Sequence, residues 1–220
     1  DLACGSGHIL NECFDLLYDL YIAEGYSRGE AVENIFHHNL TGIDLDNRAK
    51  QLAQFALLLK ACQKDTAFAD AHCMPNVLTM PKPWNDNKQG SIQDMLHIYF
   101  QGEATNQQKK EITACFNLMQ NADTLGSLMK FDISESTRLL IKQTTDYWCG
   151  QEIVPEEVRT QIAAFKLILA LTEKYHALVM NPPYMGRSGM NDLITQYVHD
   201  NYALGKWDLF ATFMLVAINR

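Results

Sequence analysis

Asp1-Leu2-Ala3-Cys4-Gly5-Ser6-Gly7 opens the chain, and its reading decides the fold. Two glycines just before a helical pattern let the backbone approach a ligand at the positive end of the helix. That helix is expected from about Ile9 to Glu24, with Leu10, Phe14, Leu17 and Tyr21 at helical spacing and Gly25 ending it. A dinucleotide fingerprint needs a third glycine where Leu10 stands. Taken alone, the loop reads equally as a ligand cradle or as a plain strand-to-helix turn.

Working outward, Ser27-Arg28-Gly29-Glu30 has the form of a capping box opening a second helix through His37 or His38. Leu40-Thr41-Gly42-Ile43, closed by Asp44, reads as a strand. Asp46 then caps a helix with Ala49, Leu52, Ala53, Ala56 and Leu57 on one face and Lys60 near its end. The order loop–helix–strand–helix implies an α/β fold of parallel strands joined by crossover helices. Asp44 sits at the carboxyl end of its strand, where an acid can hydrogen-bond two ribose hydroxyls. It reads alternatively as a strand-end or capping carboxylate, but Asp46 fills the capping role more naturally. Glycine loop plus acid fits a nucleoside cofactor that has no pyrophosphate, and S-adenosylmethionine is one.

Asn76 to Met80 is expected as a further strand, stopped by Pro81 and Pro83. The polar, Gln-, Asn- and Thr-rich stretch 84–150 reads as a helical insertion between a cofactor-binding half, 1–83, and a second half, 151–220. Pro155, Glu156 and Glu157 begin a helix to about Lys174, and His176–Met180 is expected as a buried strand. Two last helices start near Asn191 and after a cap at Asp208.

The second informative stretch is Asn181-Pro182-Pro183-Tyr184, at the end of that expected strand. Prolines fix φ and remove amide donors, leaving the Asn181 and Pro182 carbonyls to face outward. Together with the Asn181 side-chain oxygen they can accept both hydrogens of an amino group. An adenine or amide nitrogen is a weak nucleophile because its lone pair is delocalised. Accepting its protons frees the lone pair to attack a sulfonium methyl, and the same dipoles stabilise the positive charge that develops. Tyr184 can stack on the planar substrate group. No protein nucleophile and no metal is required.

Composition bounds the rest. At 220 residues and 47% hydrophobic, one domain with an insertion is the expectation, and no apolar run is long enough to span a bilayer. Cys4, Cys13, Cys62, Cys73, Cys115 and Cys149 form no C-x-x-C pair, so they read as reduced thiols of a cytoplasmic protein. His37-His38 and His72-Cys73 are adjacent pairs whose side chains diverge, and are poor metal ligands. Net charge is −8, from 26 acidic and 18 basic residues, with no Lys/Arg run. Either the substrate is not nucleic acid, or the main nucleic-acid grip lies outside this chain. A chain that opens on the loop and stops within a helical pattern suggests a segment of a longer protein, which favours the second option.

The residues Asp1 to Gly7, Gly42-Ile43-Asp44 and Asn181 to Tyr184 together resemble the adenine-N6 DNA methyltransferases, and more narrowly the gamma-type enzymes. Asn121 to Leu128 and Lys206-Trp207-Asp208-Leu209-Phe210 are similar to stretches of BREX-type phage-defence modification enzymes and of fused restriction–modification enzymes. The resemblance implies a Rossmann-like S-adenosylmethionine-dependent methyltransferase fold, here truncated. It also implies that Asp1, Ala3, Gly5 and Gly7 contact the methionine end of the cofactor, Asp44 its ribose, and Asp123 its adenine amine. Asp208 and Phe210 would line the cofactor pocket or simply cap and pack. Asn181, Pro182, Pro183 and Tyr184 carry over as the catalytic set, acting on an adenine flipped from double-stranded DNA. The DNA-reading domain would be absent from this chain, and defence-system subunits are possible partners. The same turn occurs in enzymes methylating protein glutamine or ribosomal RNA guanine, though usually with a Thr-Gly form of the loop. A non-catalytic binding module of the same fold is the remaining alternative.

Overall fold

The computed structural model describes residues 1–70, 73–84 and 90–219. His72, residues 85–89 of the expected insertion and Arg220 lie outside the described residues. The chain divides into two compact units: Asp1–Thr79 with His176–Tyr184, and Met80–Tyr175 with the chain from Met185 on.

In the first unit, helix α1 (His8–Ala23) follows the glycine loop and buries Leu10, Phe14 and Tyr18, spaced four apart. Leu17 and Tyr21, expected on the same face, are half-buried at its border. The capping box forms: Ser27 accepts from the Glu30 amide, and the Glu30 carboxylate accepts from the Ser27 amide. It opens α2 (Arg28–Asn34), which does not continue as α-helix to His38. Ile35–Asn39 instead form a π-helical turn, closed by the Leu40 amide on the Ile35 carbonyl at 2.9 Å. The wider turn accompanies full burial of the adjacent pair Ile35 and Phe36. Phe36 then packs between Phe14 and Phe68, each ring 5.6 Å away.

Strand β1 (Gly42–Asp44) pairs in parallel with β2 (Val77–Thr79), Gly42 opposite Val77 and Asp44 opposite Thr79. Between them runs α3 (Asn47–Lys64), capped by Asp46 through the Arg48 amide at 2.8 Å. This β-α-β order is the parallel crossover implied by the sequence. The buried seam of α3 is Ala53, Leu57 and Ala61, while Leu52 is 58% exposed. Small residues along that seam let α1 come close: a Cβ on Gly7 would stand 2.8 Å from the Ala53 Cβ and 3.0 Å from its Cα.

The expected buried strand at His176–Met180 does not form. These residues have no regular secondary structure, His176 forming a bend, and among the described residues no strand pairs with them, while Val179 is 52% exposed. A short apolar run carries no information about whether a neighbour will meet its backbone groups.

The second unit is helical. It contains α4 (Ile92–Tyr99), α5 (Asn106–Met119), α6 (Ala122–Leu125), α7 (Glu135–Cys149), α8 (Glu156–Thr172), α9 (Asp192–Asn201) and α10 (Leu209–Ile218). The helices of 84–150 pack with α8 around an aromatic centre: the Tyr99 ring stacks on Phe165 at 4.2 Å, and Phe116 meets Phe165 at 5.5 Å. The Tyr99 hydroxyl shares a 2.5 Å hydrogen bond with Thr145, and the Trp148 indole donates to the Tyr99 carbonyl at 2.8 Å. Burial raises the Tyr99 phenol well above its ordinary range. On the surface, Glu111 of α5 ties down the start of α7. Its carboxylate accepts from the Ser134 amide at 3.0 Å, the Ser134 hydroxyl at 2.9 Å and the Thr137 hydroxyl at 2.5 Å.

Candidate active site

The first unit gathers the glycine loop, Asp44 and the Asn181 turn. The loop is built onto the edge of β1 that faces away from β2. The Ile43 amide donates to the Asp1 carbonyl at 2.8 Å, and the Cys4 amide donates to the Ile43 carbonyl at 3.0 Å. The Asp1 carboxylate bends the chain by accepting from the Ala3 amide at 2.9 Å. The Gly7 amide then closes a turn on the Cys4 carbonyl at 2.8 Å, which points the chain into α1.

Leu10, which breaks the dinucleotide fingerprint, has a structural counterpart. Its Cδ1 lies 2.6 Å from where a Cβ on Gly42 would sit, with the Cys4 Sγ at 3.2 Å and the Val77 Cγ1 at 3.3 Å. Helix α1 thus rests directly on β1, and Leu10 fills the space that Gly42 leaves. The Cys4 thiol is sealed in the same layer, and burial with the Asp44 carboxylate nearby pushes it up to about 11. It is a packing group, not a nucleophile.

Asp44 is not the unengaged acid that its place in the sequence suggested. One carboxylate oxygen accepts from the Gly5 amide at 2.7 Å and the other from the Asp46 amide at 2.9 Å. The acid clamps the loop to the end of β1. Each oxygen retains one lone-pair site, so two acceptor positions remain on a half-buried group. The signal for the clamp was present in the spacing Asp44-x-Asp46, which allows a side chain to receive the amide two residues on. Its reach back to Gly5 was not visible in one dimension.

At Gly5 no atom among the described residues stands within 4 Å of where a Cβ would project, so this backbone is open. Helix α1 has Gly7 at its N-cap, no side-chain cap and no acid in its first turn. Its first amides and the positive end of its dipole are therefore available to an anion such as a carboxylate.

In the Asn181-Pro182-Pro183-Tyr184 turn, Pro182 is buried while Asn181, Pro183 and Tyr184 are exposed. The Tyr184 hydroxyl donates to the Asn181 Oδ1 at 3.2 Å, using one of its two lone pairs and orienting the amide. The Tyr184 residue is 77% exposed, so its ring is presented to a planar partner. Asp123 lies in the other unit, exposed on α6, where the Thr124 hydroxyl donates to it at 3.3 Å. Asp208 caps α10 through the Phe210 amide at 2.8 Å, and Phe210 is 38% exposed. Among the described residues no three His, Cys, Asp or Glu groups are placed to hold a metal ion, and no disulfide joins the cysteines.

Residues 38–220 match the family model described as Eco57I restriction-modification methylase. The chain belongs to the Eco57I restriction-modification methylase family. Over 97% of its length it is 34% identical to a protein of Lacticaseibacillus casei (strain Zhang) named adenine-specific methyltransferase PglX. It is 31% identical, again over 97% of its length, to adenine-specific methyltransferase BrxX of Escherichia coli O9:H4 (strain HS). The chain spans 18% and 19% of those two relatives. The matched Eco57I-family region includes Asp44 and the Asn181 turn, and the glycine loop lies outside it.

Proposed function

We propose that this Eco57I-family chain carries the cofactor cradle and catalytic turn of an S-adenosylmethionine-dependent DNA methyltransferase acting on the N6 amine of adenine. The observation that carries the reading is the Asp44 clamp. It fixes an open glycine backbone beside an uncapped helix end, in the same compact unit as Asn181-Pro182-Pro183-Tyr184. The parallel β1-α3-β2 crossover supports a truncated Rossmann-like fold for this unit.

The residues present fit the cofactor. Its carboxylate would meet the first amides of α1, beside Asp1, Ala3, Gly5 and Gly7. Its ribose hydroxyls would donate to the two remaining acceptor positions of Asp44. When bound, S-adenosylmethionine supplies an electrophilic methyl group on a sulfonium.

The chain's own residues then prepare the substrate. The Asn181 Oδ1 and the Pro182 carbonyl accept the two hydrogens of the target amine, drawing the nitrogen toward tetrahedral geometry and freeing its lone pair. As positive charge builds on nitrogen, the same two oxygens stabilise it, and one proton subsequently leaves to solvent. Pro182 and Pro183 keep this turn stiff and remove competing amide donors. Tyr184 stacks on the extruded base and orients Asn181 through its hydroxyl.

Double-stranded DNA is the proposed partner, with sequence reading and most of the electrostatic grip outside this chain. A cytoplasmic setting within a restriction–modification or phage-defence system, with its subunits as partners, completes the proposal. Among the described residues no helix is long and apolar enough to cross a membrane. The test uses the full-length protein: Asn181→Ala should lower N6-methyladenine formation on duplex DNA by roughly 10²–10³-fold while calorimetric S-adenosylmethionine binding stays within about twofold. A variant that turns over at the wild-type rate would remove Asn181 from catalysis.

A further inference from the structure

Tyr184 is followed three residues later by Arg187, a span that cannot exceed about 11 Å of extended chain. Within the second unit, Arg187 belongs to a small patch whose backbone is firmly set. Gly186 and Asp208 form an antiparallel bridge, the Arg187 amide donates to the Trp207 carbonyl at 2.9 Å, and the Leu209 amide donates to the Met185 carbonyl at 2.9 Å. The turn beneath is close-packed: a Cβ on Gly205 would stand 2.8 Å from the Thr212 backbone, and the Thr212 hydroxyl donates to the Gly205 carbonyl at 2.9 Å.

On this base sit two cations and an indole. The Arg187 guanidinium carbon lies 4.8 Å from the Trp207 ring centroid and the Lys206 ammonium 5.5 Å. Among the described residues neither cation is paired with a carboxylate, although the chain as a whole carries a net charge of −8. Trp207 remains 61% exposed with both cations in place. For the fold itself, such an exposed tryptophan contributes only a little through each surface cation–π contact. The combination matches what an unpaired stretch of nucleic acid presents: a planar base to stack and adjacent phosphates to neutralise.

We propose that Arg187, Lys206 and Trp207 form a contact for the DNA strand that carries the target adenine. Trp207 stacks on an unpaired or splayed base and the two cations hold neighbouring phosphates. The proposal rests on the reading of the Asn181 turn as the site of DNA methylation, since the chain itself keeps Arg187 near that turn. It supplies a local anchor in a chain whose sequence has no Lys/Arg run.

The test is fluorescence anisotropy of the full-length protein with a labelled twelve-nucleotide single strand and the matching duplex, across a salt series. Trp207→Ala should weaken single-strand binding on the order of tenfold, and Trp207→Phe should retain most of it, because stacking tolerates another aromatic ring. Arg187→Gln and Lys206→Gln, which remove the charge and leave the backbone bonds of the patch in place, should each lower the salt slope by about one unit. S-adenosylmethionine affinity should not change in any of the four. Unaltered strand affinity in Trp207→Ala together with unaltered salt slopes in the two glutamine variants would overturn the proposal. If the wild-type protein makes N6-methyladenine and these variants bind and turn over as it does, the patch fails alone. If strand binding depends on the patch but no methyladenine is made, the patch stands and the assignment of the turn fails.

Discussion

At the scale of single residues, Asp44 and Asn181 do different work, and their variants should separate. Asp44 holds the Gly5 amide at 2.7 Å and the Asp46 amide at 2.9 Å, so its loss removes two charge-assisted hydrogen bonds as well as the proposed ribose acceptors. Asp44→Ala should weaken S-adenosylmethionine binding by about 2 kcal/mol in calorimetry and also lower the thermal midpoint of the apo protein. Undiminished affinity would end the ribose assignment. Asn181, by contrast, is exposed, and its bond to Tyr184 lies within its own turn. Its alanine variant should cost roughly 10²–10³-fold in kcat, the usual loss for one electrostatic group acting in the transition state, with stability unchanged. The candidate residues themselves were legible in the sequence because glycine, acid and Asn-Pro-Pro-Tyr chemistry is local. Their mutual contacts were not: the Gly5–Asp44 bond joins positions 39 apart.

Elements are held by fits and by surface staples. Gly7 has φ +84 and faces the Ala53 Cβ and Cα across the α1–α3 contact, so a side chain there meets both backbone strain and rigid atoms. Gly7→Ala should cost about 2–4 kcal/mol of unfolding free energy in denaturant titrations. Ser6→Ala, one position earlier and without that contact, serves as the control, and equal midpoints for the two would refute the close approach. The α5–α7 staple has a pH signature. Hydrogen bonds from the Thr137 hydroxyl, the Ser134 amide and Gln107 hold Glu111 down to about 2, from an ordinary 4.5. Because the folded value is depressed, the contribution is complete above about 4.5 and is lost as pH falls toward 2. Glu111→Gln should therefore flatten the stability–pH curve in that window only, measured by chemical denaturation at each pH. Helices were readable from caps and periodicity, and the capping box at Ser27 and the cap at Asp46 formed where expected. The run at 176–180 was misread because pairing, not composition, makes a strand. The π turn at Ile35–Asn39 has no pattern of its own, since it merely shifts which neighbours in a helical run are buried.

For the whole molecule, the Eco57I-family match covers residues 38–220, and the charge balance is acidic. Sequencing of DNA from cells with and without the parent gene should reveal N6-methyladenine at a defined motif only when the gene is present. Identical methylomes would overturn the proposed substrate. The two-unit arrangement has a further consequence in time. The polypeptide leaves the first unit after Thr79 and re-enters it at His176 to supply the segment through Tyr184. At ~5–20 residues per second of synthesis, the first 79 residues must wait roughly 5–20 s on the ribosome for the segment that completes their unit. During that interval the helices α4 to α8 emerge. Glycine loop and Asn181 turn cannot be produced together by stopping translation early, and a late pause would leave the first segment of the unit made before its last exists.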